Sequence, residues 1–187
     1  MGRWEPDARG RLMLAALELY TGRGYEQTTV ADIAERAGVT ERTFFRHFAD
    51  KREVLFFGLE MTQDRLTRAV ADAPADATPI DVVSAALQAL GALLQENPQR
   101  VRLRESIVSA HPELRERELI KLAAMGAAMT AALRDRGIAD PAASLAAEAG
   151  IALFKVAFAR WIADSGHTRL PDILRESVQQ MRSLFDE

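Results

Sequence analysis

The sequence predicts an all-α protein of about nine helices. Alanine, leucine and charged residues dominate its 187 positions, with 48% hydrophobic and 27% charged side chains, and runs of β-branched residues are scarce. Apolar residues recur at three- and four-residue spacing instead of alternating, the mark of one buried stripe on a helix. Five segments open on a proline, which an α-helix accepts most readily in its first turn.

The elements follow in order. Residues 1–6 read as a loose arm. Asp7 stands where it can cap a first helix, whose stripe is Leu12, Ala16, Leu19 and Tyr20 and whose end is marked by Gly22 and Gly24. Thr29 caps a second helix with the stripe Val30, Ile33, Ala34 and Ala37, and Gly38 follows where a left-handed residue commonly ends a helix. Thr40 caps a third, Glu41 to about Phe48. Asp50 and Glu53 have the spacing of a capping box for one long fourth helix to about Ala73, with Val54, Leu55, Leu59, Leu66 and Val70 facing inward. Thr78, Pro79 and Asp81 open a fifth, to about Gln95, with Val83, Leu87, Leu90 and Leu94 on one face. Asn97 and Pro98 open a sixth, to about Ser109. Pro112 opens a seventh that ends at Gly137. Asp140 and Pro141 open an eighth, ending near Gly166, and Pro171 opens a ninth, to about Phe185.

Composition narrows the function classes. Without cysteine there are no disulfides and no thiolate metal sites, and the N-terminus has no apolar core of a signal peptide. The longest apolar run, Ala149 to Ala163, is short for a bilayer span and is interrupted by Lys155 and Arg160. It reads as a buried helix of a soluble, cytoplasmic protein with no membrane partner. His47, His111 and His167 are scattered, and no H-E-x-x-H or E-x-x-H spacing occurs. The G-R-G at 22–24 has no preceding strand and no third glycine, so it is not a nucleotide loop. Glu116 and Glu118 read as solvated carboxylates. No enzyme, metal or cofactor is therefore expected. Net charge is −3. Within residues 39–52, however, Arg42, Arg46, Lys51 and Arg52 oppose only Glu41 and Asp50, a local basic surface suited to phosphates.

Residues 28–53 have the logic of a helix-turn-helix, whose second helix enters the DNA major groove. The run T-T-V-x-x-I-A-x-x-A-G-V-T-x-x-T-F-F-x-H-F-x-x-K, from Thr28 to Lys51, resembles the DNA-binding domain of the TetR family of bacterial transcriptional regulators, over about Arg11 to Leu55. Many members of that family carry tyrosine where this chain has Phe45, which packs or touches a sugar but cannot donate to a phosphate. Thr28, Thr29 and Thr40 sit at helix N-termini, where hydroxyls and free N–H groups bind phosphate as well as cap the helix. Lys51 is a further phosphate candidate. On the recognition helix, Arg42 or Arg46 is placed to read guanine and Thr43 a thymine methyl. Glu41 either accepts from cytosine or sets Arg42 by a local salt bridge. His47 resembles the family histidine near the DNA backbone, and Arg3 is a DNA contact or part of a disordered tail.

The second half carries softer signals. Ala123, Ala124, Met125, Gly126, Ala127, Ala128 and Met129 leave room or reshape around an apolar guest, and Phe154, Phe158 and Trp161 can close such a cavity. Plain close packing of alanine-rich helices is the alternative. The run R-x-R-L-x-x-S-x-x-x-x-H-P-x-L-R-x-R ending at Arg117, R-D-R-G at 134–137 and F-x-x-A-F-x-x-W at 154–161 are similar to TetR-family members with an acyl-CoA-like ligand-binding C-terminal domain, including regulators of the mycofactocin system. That resemblance implies that Arg102, Arg104 or Arg115 meets a phosphate of an acyl-CoA. It also implies that the last two helices pair with their two-fold mates. Leu145, Ala149, Leu153 and Val156, then Leu174, Val178 and Met181, are the expected dimer surface, since the eighth helix is apolar on more than one face.

The expected organisation is a DNA-binding domain at 1–52 and a ligand-binding and dimerisation domain at 53–187. The expected function is a homodimeric, ligand-responsive repressor on a near-palindrome of double-stranded DNA. Its effector would be an acyl-CoA or another apolar small molecule. The alternative is a helical partner-binding protein of the same fold that no longer binds DNA.

Overall fold

The computed structural model describes residues 8–164 and 168–184, with the backbone alone at 59 and 60. The helices, in chain order, are α1 (Ala8–Arg23), α2 (Val30–Arg36), α3 (Glu41–His47), α4 (Leu59–Asp72), α5 (Pro79–Gln95), α6 (Pro98–Ala110), α7 (Pro112–Asp135), α8 (Ala142–Ala163) and α9 (Leu170–Ser183), with a 3₁₀ turn at Glu53–Phe56. The described residues form no strand. The Asp7 cap, Arg3, His167, the end near Gly166 and Phe185 lie outside the described residues, as does the side chain of Leu59.

The starts are where local chemistry puts them. Thr78 Oγ1 accepts from the Asp81 N–H at 3.4 Å ahead of Pro79. Asn97 Oδ1 accepts from the Arg100 N–H at 3.3 Å ahead of α6. Gly24 and Gly137, both with positive φ, close α1 and α7.

One element differs. The fourth helix is not continuous from Glu53. Asp50 does cap, accepting from the N–H groups of Arg52 at 2.8 Å and Glu53 at 3.1 Å, but what it starts is the short 3₁₀ turn. Phe57 then turns extended and Gly58 takes φ +95°, which breaks the chain before α4. The Phe57 ring sits edge-on against Phe48 at 6.0 Å. Glycine is a poor helix residue and tolerates this left-handed backbone without strain.

The chain forms two compact units. The first takes residues up to Leu59 together with Arg102–Glu118, so it extends past 52 and recruits most of α6 and the start of α7. Its core includes Leu12, Ala16, Ile33, Phe44, Val54, Val108 and Leu114, all fully buried. The second takes Glu60–Val101 and the chain from Leu119. There α5, α8 and α9 pack pairwise around Val83, Leu87, Leu90, Met129, Trp161 and Leu174. Arg136 donates to the carbonyls of Val70, Ala71, Ala73 and Pro74 and so satisfies the open end of α4. α8 is long and apolar enough to cross a bilayer by length and composition, and its inner face, from Ala143 to Trp161, is buried in this unit.

Candidate nucleic-acid interface

The first unit builds a compact helix-turn-helix from paired caps. Thr29 Oγ1 accepts from the Asp32 N–H at 3.1 Å and donates to Asp32 Oδ2 at 2.6 Å, while the Thr29 N–H donates to the same carboxylate at 2.8 Å. This reciprocal capping box satisfies two orphan donors of α2. Those Thr29 bonds, with a smaller contribution from Arg23, hold the Asp32 carboxyl below its ordinary value. At the other end Gly38 takes φ +67°. Its N–H reaches the Glu35 carbonyl at 3.0 Å, and the Val39 N–H reaches Ala34 at 2.9 Å, the two bonds of a Schellman motif. Thr40 follows at once in extended backbone and accepts from the Thr43 N–H at 3.2 Å, starting α3.

Two aromatic side chains set the face that α3 presents. Phe44 is fully buried and Phe48 nearly so, their rings 5.6 Å apart. That leaves Glu41, Arg42, Phe45 and Arg46 outward and exposed, with Thr43 and His47 half-buried at the flank. His47 Nε2 lies 3.4 Å from Arg46 Nη2. Thr29 and Thr40 are exposed at the two helix starts. Two guanidinium forks and a phenyl ring on one outward face can meet base edges, and the capped N-termini can meet phosphate.

Two of the expected phosphate contacts are placed otherwise. Thr28 is 1% exposed, and its hydroxyl donates to the Gly24 carbonyl at 2.8 Å, closing the loop after α1. Lys51 directs its ammonium at the carbonyls of Tyr25 at 2.9 Å, Thr28 at 3.1 Å and Glu26 at 3.5 Å, and lies 4.4 Å from the Tyr25 ring centre. Its three donors are used inside the unit, where it ties the loop before α2 to the chain after α3. Tyr20 donates to the Lys51 carbonyl at 2.7 Å. Burial, then Tyr25 and Asp50, push the Tyr20 hydroxyl well above its ordinary range. Burial likewise pushes Tyr25 up to about 12.

Sequence reasoning missed what the segment 102–118 does. Arg104 pairs with Glu118, donates to the Leu55 carbonyl at 3.1 Å and lies 4.9 Å from the Phe56 ring centre. Arg117 pairs with Glu53, and the His111 ring packs against Tyr25 at 4.8 Å, tilted by 58°. Glu118 is therefore an ion-pair partner and not a solvated carboxylate, and Arg104 is committed to the 3₁₀ turn. Arg115 is exposed. Alternating Arg and Glu across two sequential helices was the available signal, but it does not say which partner each finds.

The residues expected to hold a ligand fall in both units. Arg102 belongs to the first unit, the others to the second. Met129 and Trp161 are fully buried, Met125 and Phe154 nearly so. Phe158 lies 5.5 Å from Phe154 and 5.8 Å from Trp161, so these rings form a packed cluster in the core. An open groove of about 280 Å³ lies elsewhere in this unit, between Met61, Asp64, Arg65, Arg68, Leu93 and Glu96.

The expected dimer residues also divide. Leu153, Leu174 and Val178 are core of the second unit and present no surface. Leu153 lies in the buried arc of α8, and Leu174 and Val178 lie in that of α9. Leu145, 67% exposed, and Val156, 58% exposed, lie on its outer face beside half-buried Ala149. Met181 is half-buried on α9.

Comparison with known proteins agrees with this architecture. Residues 12–56 match the family described as bacterial regulatory proteins, tetR family. Residues 77–186 match the family described as the MftR C-terminal domain. The transcriptional regulator TcmR of Streptomyces glaucescens is 42% identical over 82 residues, which cover 44% of this chain and 36% of that protein. MftR of Mycobacterium tuberculosis, named as a mycofactocin biosynthesis transcriptional regulator, is 28% identical over 99 residues, 53% of this chain and 50% of that one. The chain thus spans between about a third and a half of the length of these curated relatives. The solved structure of FadR from Bacillus subtilis in complex with stearoyl-CoA superposes with a TM-score of 0.65 over 91% of this chain and 95% of that one. At 17% identity that likeness is one of fold. With a helix-turn-helix of this geometry and family matches over both halves, the chain belongs to the TetR family of bacterial regulatory proteins, with a C-terminal domain of the MftR type.

Proposed function

We propose that this protein is a ligand-controlled transcriptional repressor that binds a near-palindromic operator as a homodimer in the cytoplasm. The observation that carries the reading is the outward face of α3. Arg42, Phe45 and Arg46 stand exposed there while Phe44 and Phe48 anchor the helix from behind. Two such heads related by a two-fold axis enter successive major grooves. Arg42 and Arg46 read base edges, Thr43 touches a methyl group, and Glu41 orients Arg42. Thr29, Thr40 and His47 contact the backbone.

The DNA-reading part lies within residues 1–52, and ligand binding and dimerisation within 53–187. Dimerisation uses the outer face of α8. Leu145, Ala149 and Val156 form an apolar strip there, extended by Ala152 and Ala159, that requires cover. Met181 of α9 borders it. The effector is an apolar small molecule, with long-chain acyl-CoA as the class to try first. The MftR-type C-terminal domain and a fold shared with a FadR solved with stearoyl-CoA support that choice. Its acyl chain enters among Met125, Met129, Phe154, Phe158 and Trp161, which must part to admit it. A coupling of about 1–3 kcal/mol between ligand and DNA is enough to release the operator.

A footprint on DNA flanking the protein's own gene, at fixed salt, with and without stearoyl-CoA, tests the whole reading. Protection of a near-palindrome that stearoyl-CoA abolishes is expected. No protection there, and none after selection from genomic fragments, would reject DNA binding in favour of a partner-binding role. Leu145→Arg with Val156→Arg is expected to yield monomers by sedimentation and to weaken the footprint. A dimer that survives both changes would move the interface elsewhere.

A further inference from the structure

Phe45 is out of place by the ordinary rule that large apolar side chains are buried. It is 55% exposed, and among the described residues it is the one aromatic side chain in the set of exposed large hydrophobics. It occupies the middle of the outward face of α3. Glu41 lies one turn before it, Arg42 three residues before and Arg46 next to it, all exposed. The ring is also held. Phe44, fully buried, meets it edge-on at 5.4 Å and 80°, and Phe44 is itself fixed against Phe48 at 5.6 Å. An anchored phenyl ring on the same outward face as two exposed arginines is a preorganised apolar probe.

A phenyl ring has no donor or acceptor to offer a base. In the major groove the one base feature it can distinguish is the C5-methyl group of thymine. We infer that Phe45 is a specificity-determining residue that packs on a thymine methyl at one defined position of each operator half-site. This inference rests on the DNA-binding reading above and adds to it the base and the atom recognised. Contact with a deoxyribose would use the same ring without regard to sequence, so the methyl group is the discriminating feature.

The test uses the full-length protein and the operator found by footprinting or selection. Each thymine of a half-site is replaced in turn by deoxyuracil, which removes one methyl and keeps every hydrogen-bonding group. Kd is measured at constant salt for wild type, Phe45→Ala and Phe45→Leu, with circular dichroism to check each fold. For wild type, uracil at one position is expected to weaken binding about three- to fivefold per half-site, the worth of one buried methyl. Phe45→Ala is expected to bring that ratio to about one at that position alone, and Phe45→Leu to keep part of it. The inference is overturned if no uracil affects the wild type. It is equally overturned if Phe45→Ala leaves the ratio unchanged, which would assign the methyl to another residue such as Thr43. In both cases the protein still binds its operator and the DNA-binding reading stands. Absence of any bound site overturns both.

Discussion

Replacing Glu105 by glutamine should stabilise the protein at high pH and leave it unchanged at low pH. Glu105 lies on α6 in the first unit, its side chain 20% exposed and its Oε2 without a hydrogen bond among the described residues. The facing charges are Glu118 on α7, which repels it, and Arg104, 3.7 Å away, which attracts it but is also paired with Glu118. Burial is the largest influence and Glu118 the next. Together they raise the carboxyl from 4.5 to about 7 against the pull of Arg104. The folded state therefore holds a proton that the unfolded state has already lost between these two values. Stability falls as pH rises through this window, and the loss is complete above about pH 7. The interval sets a ceiling of about 3 kcal/mol, and solvent screening lowers the expected effect to about 1–2 kcal/mol. Glutamine cannot ionise and so escapes the penalty. Urea unfolding followed by circular dichroism at pH 4.5, 6 and 8, at fixed ionic strength and protein concentration, measures it. The variant should match wild type at pH 4.5 and exceed it at pH 8. A difference independent of pH, or one that favours wild type at pH 8, would refute the assigned environment of this carboxyl.

Two further changes probe the scaffold. Thr29→Ala removes the hydroxyl that caps Asp32 N–H and binds its carboxylate, so about 1 kcal/mol should be lost. A lower Tm that Thr29→Ser restores is the expected result, and an unchanged Tm would show that the capping box contributes nothing. Gly150→Ala places a methyl 2.7 Å from Val83 Cγ1 and 3.0 Å from Met129 Cε. Valine is stiff about χ1. The overpacking cost of about 1–3 kcal/mol should therefore outweigh the gain of about 1 kcal/mol in helix propensity. Thermal unfolding should show a lower Tm, and a raised one would mean that α5 and α8 yield without strain.

The sequence alone determined where α2, α3, α5 and α6 begin, because those signals act over three or four residues. Thr29, Thr40, Thr78 and Asn97 all cap as their spacing indicates, and Gly38 turns left-handed where a stripe stops. The inward positions of α2, α3 and α5 were legible for the same reason, since a stripe that repeats at helical spacing has one side to bury. So was the outward set on α3, which follows once Phe44 and Phe48 are taken as its anchor. The break at Gly58 was not legible: an Asp50 cap is compatible with a 3₁₀ turn as well as a long helix, and packing of Phe57 on Phe48 decides between them. Nor did local pattern say that Lys51 serves three carbonyls, that Thr28 is buried, or that Leu153, Leu174 and Val178 are core and not surface. A hydroxyl, an ammonium or a leucine side chain is the same chemical group whether it meets solvent, DNA or its own fold. Only tertiary structure, by bringing distant carbonyls, rings and carboxylates to it or leaving it bare, decided which of these each one meets.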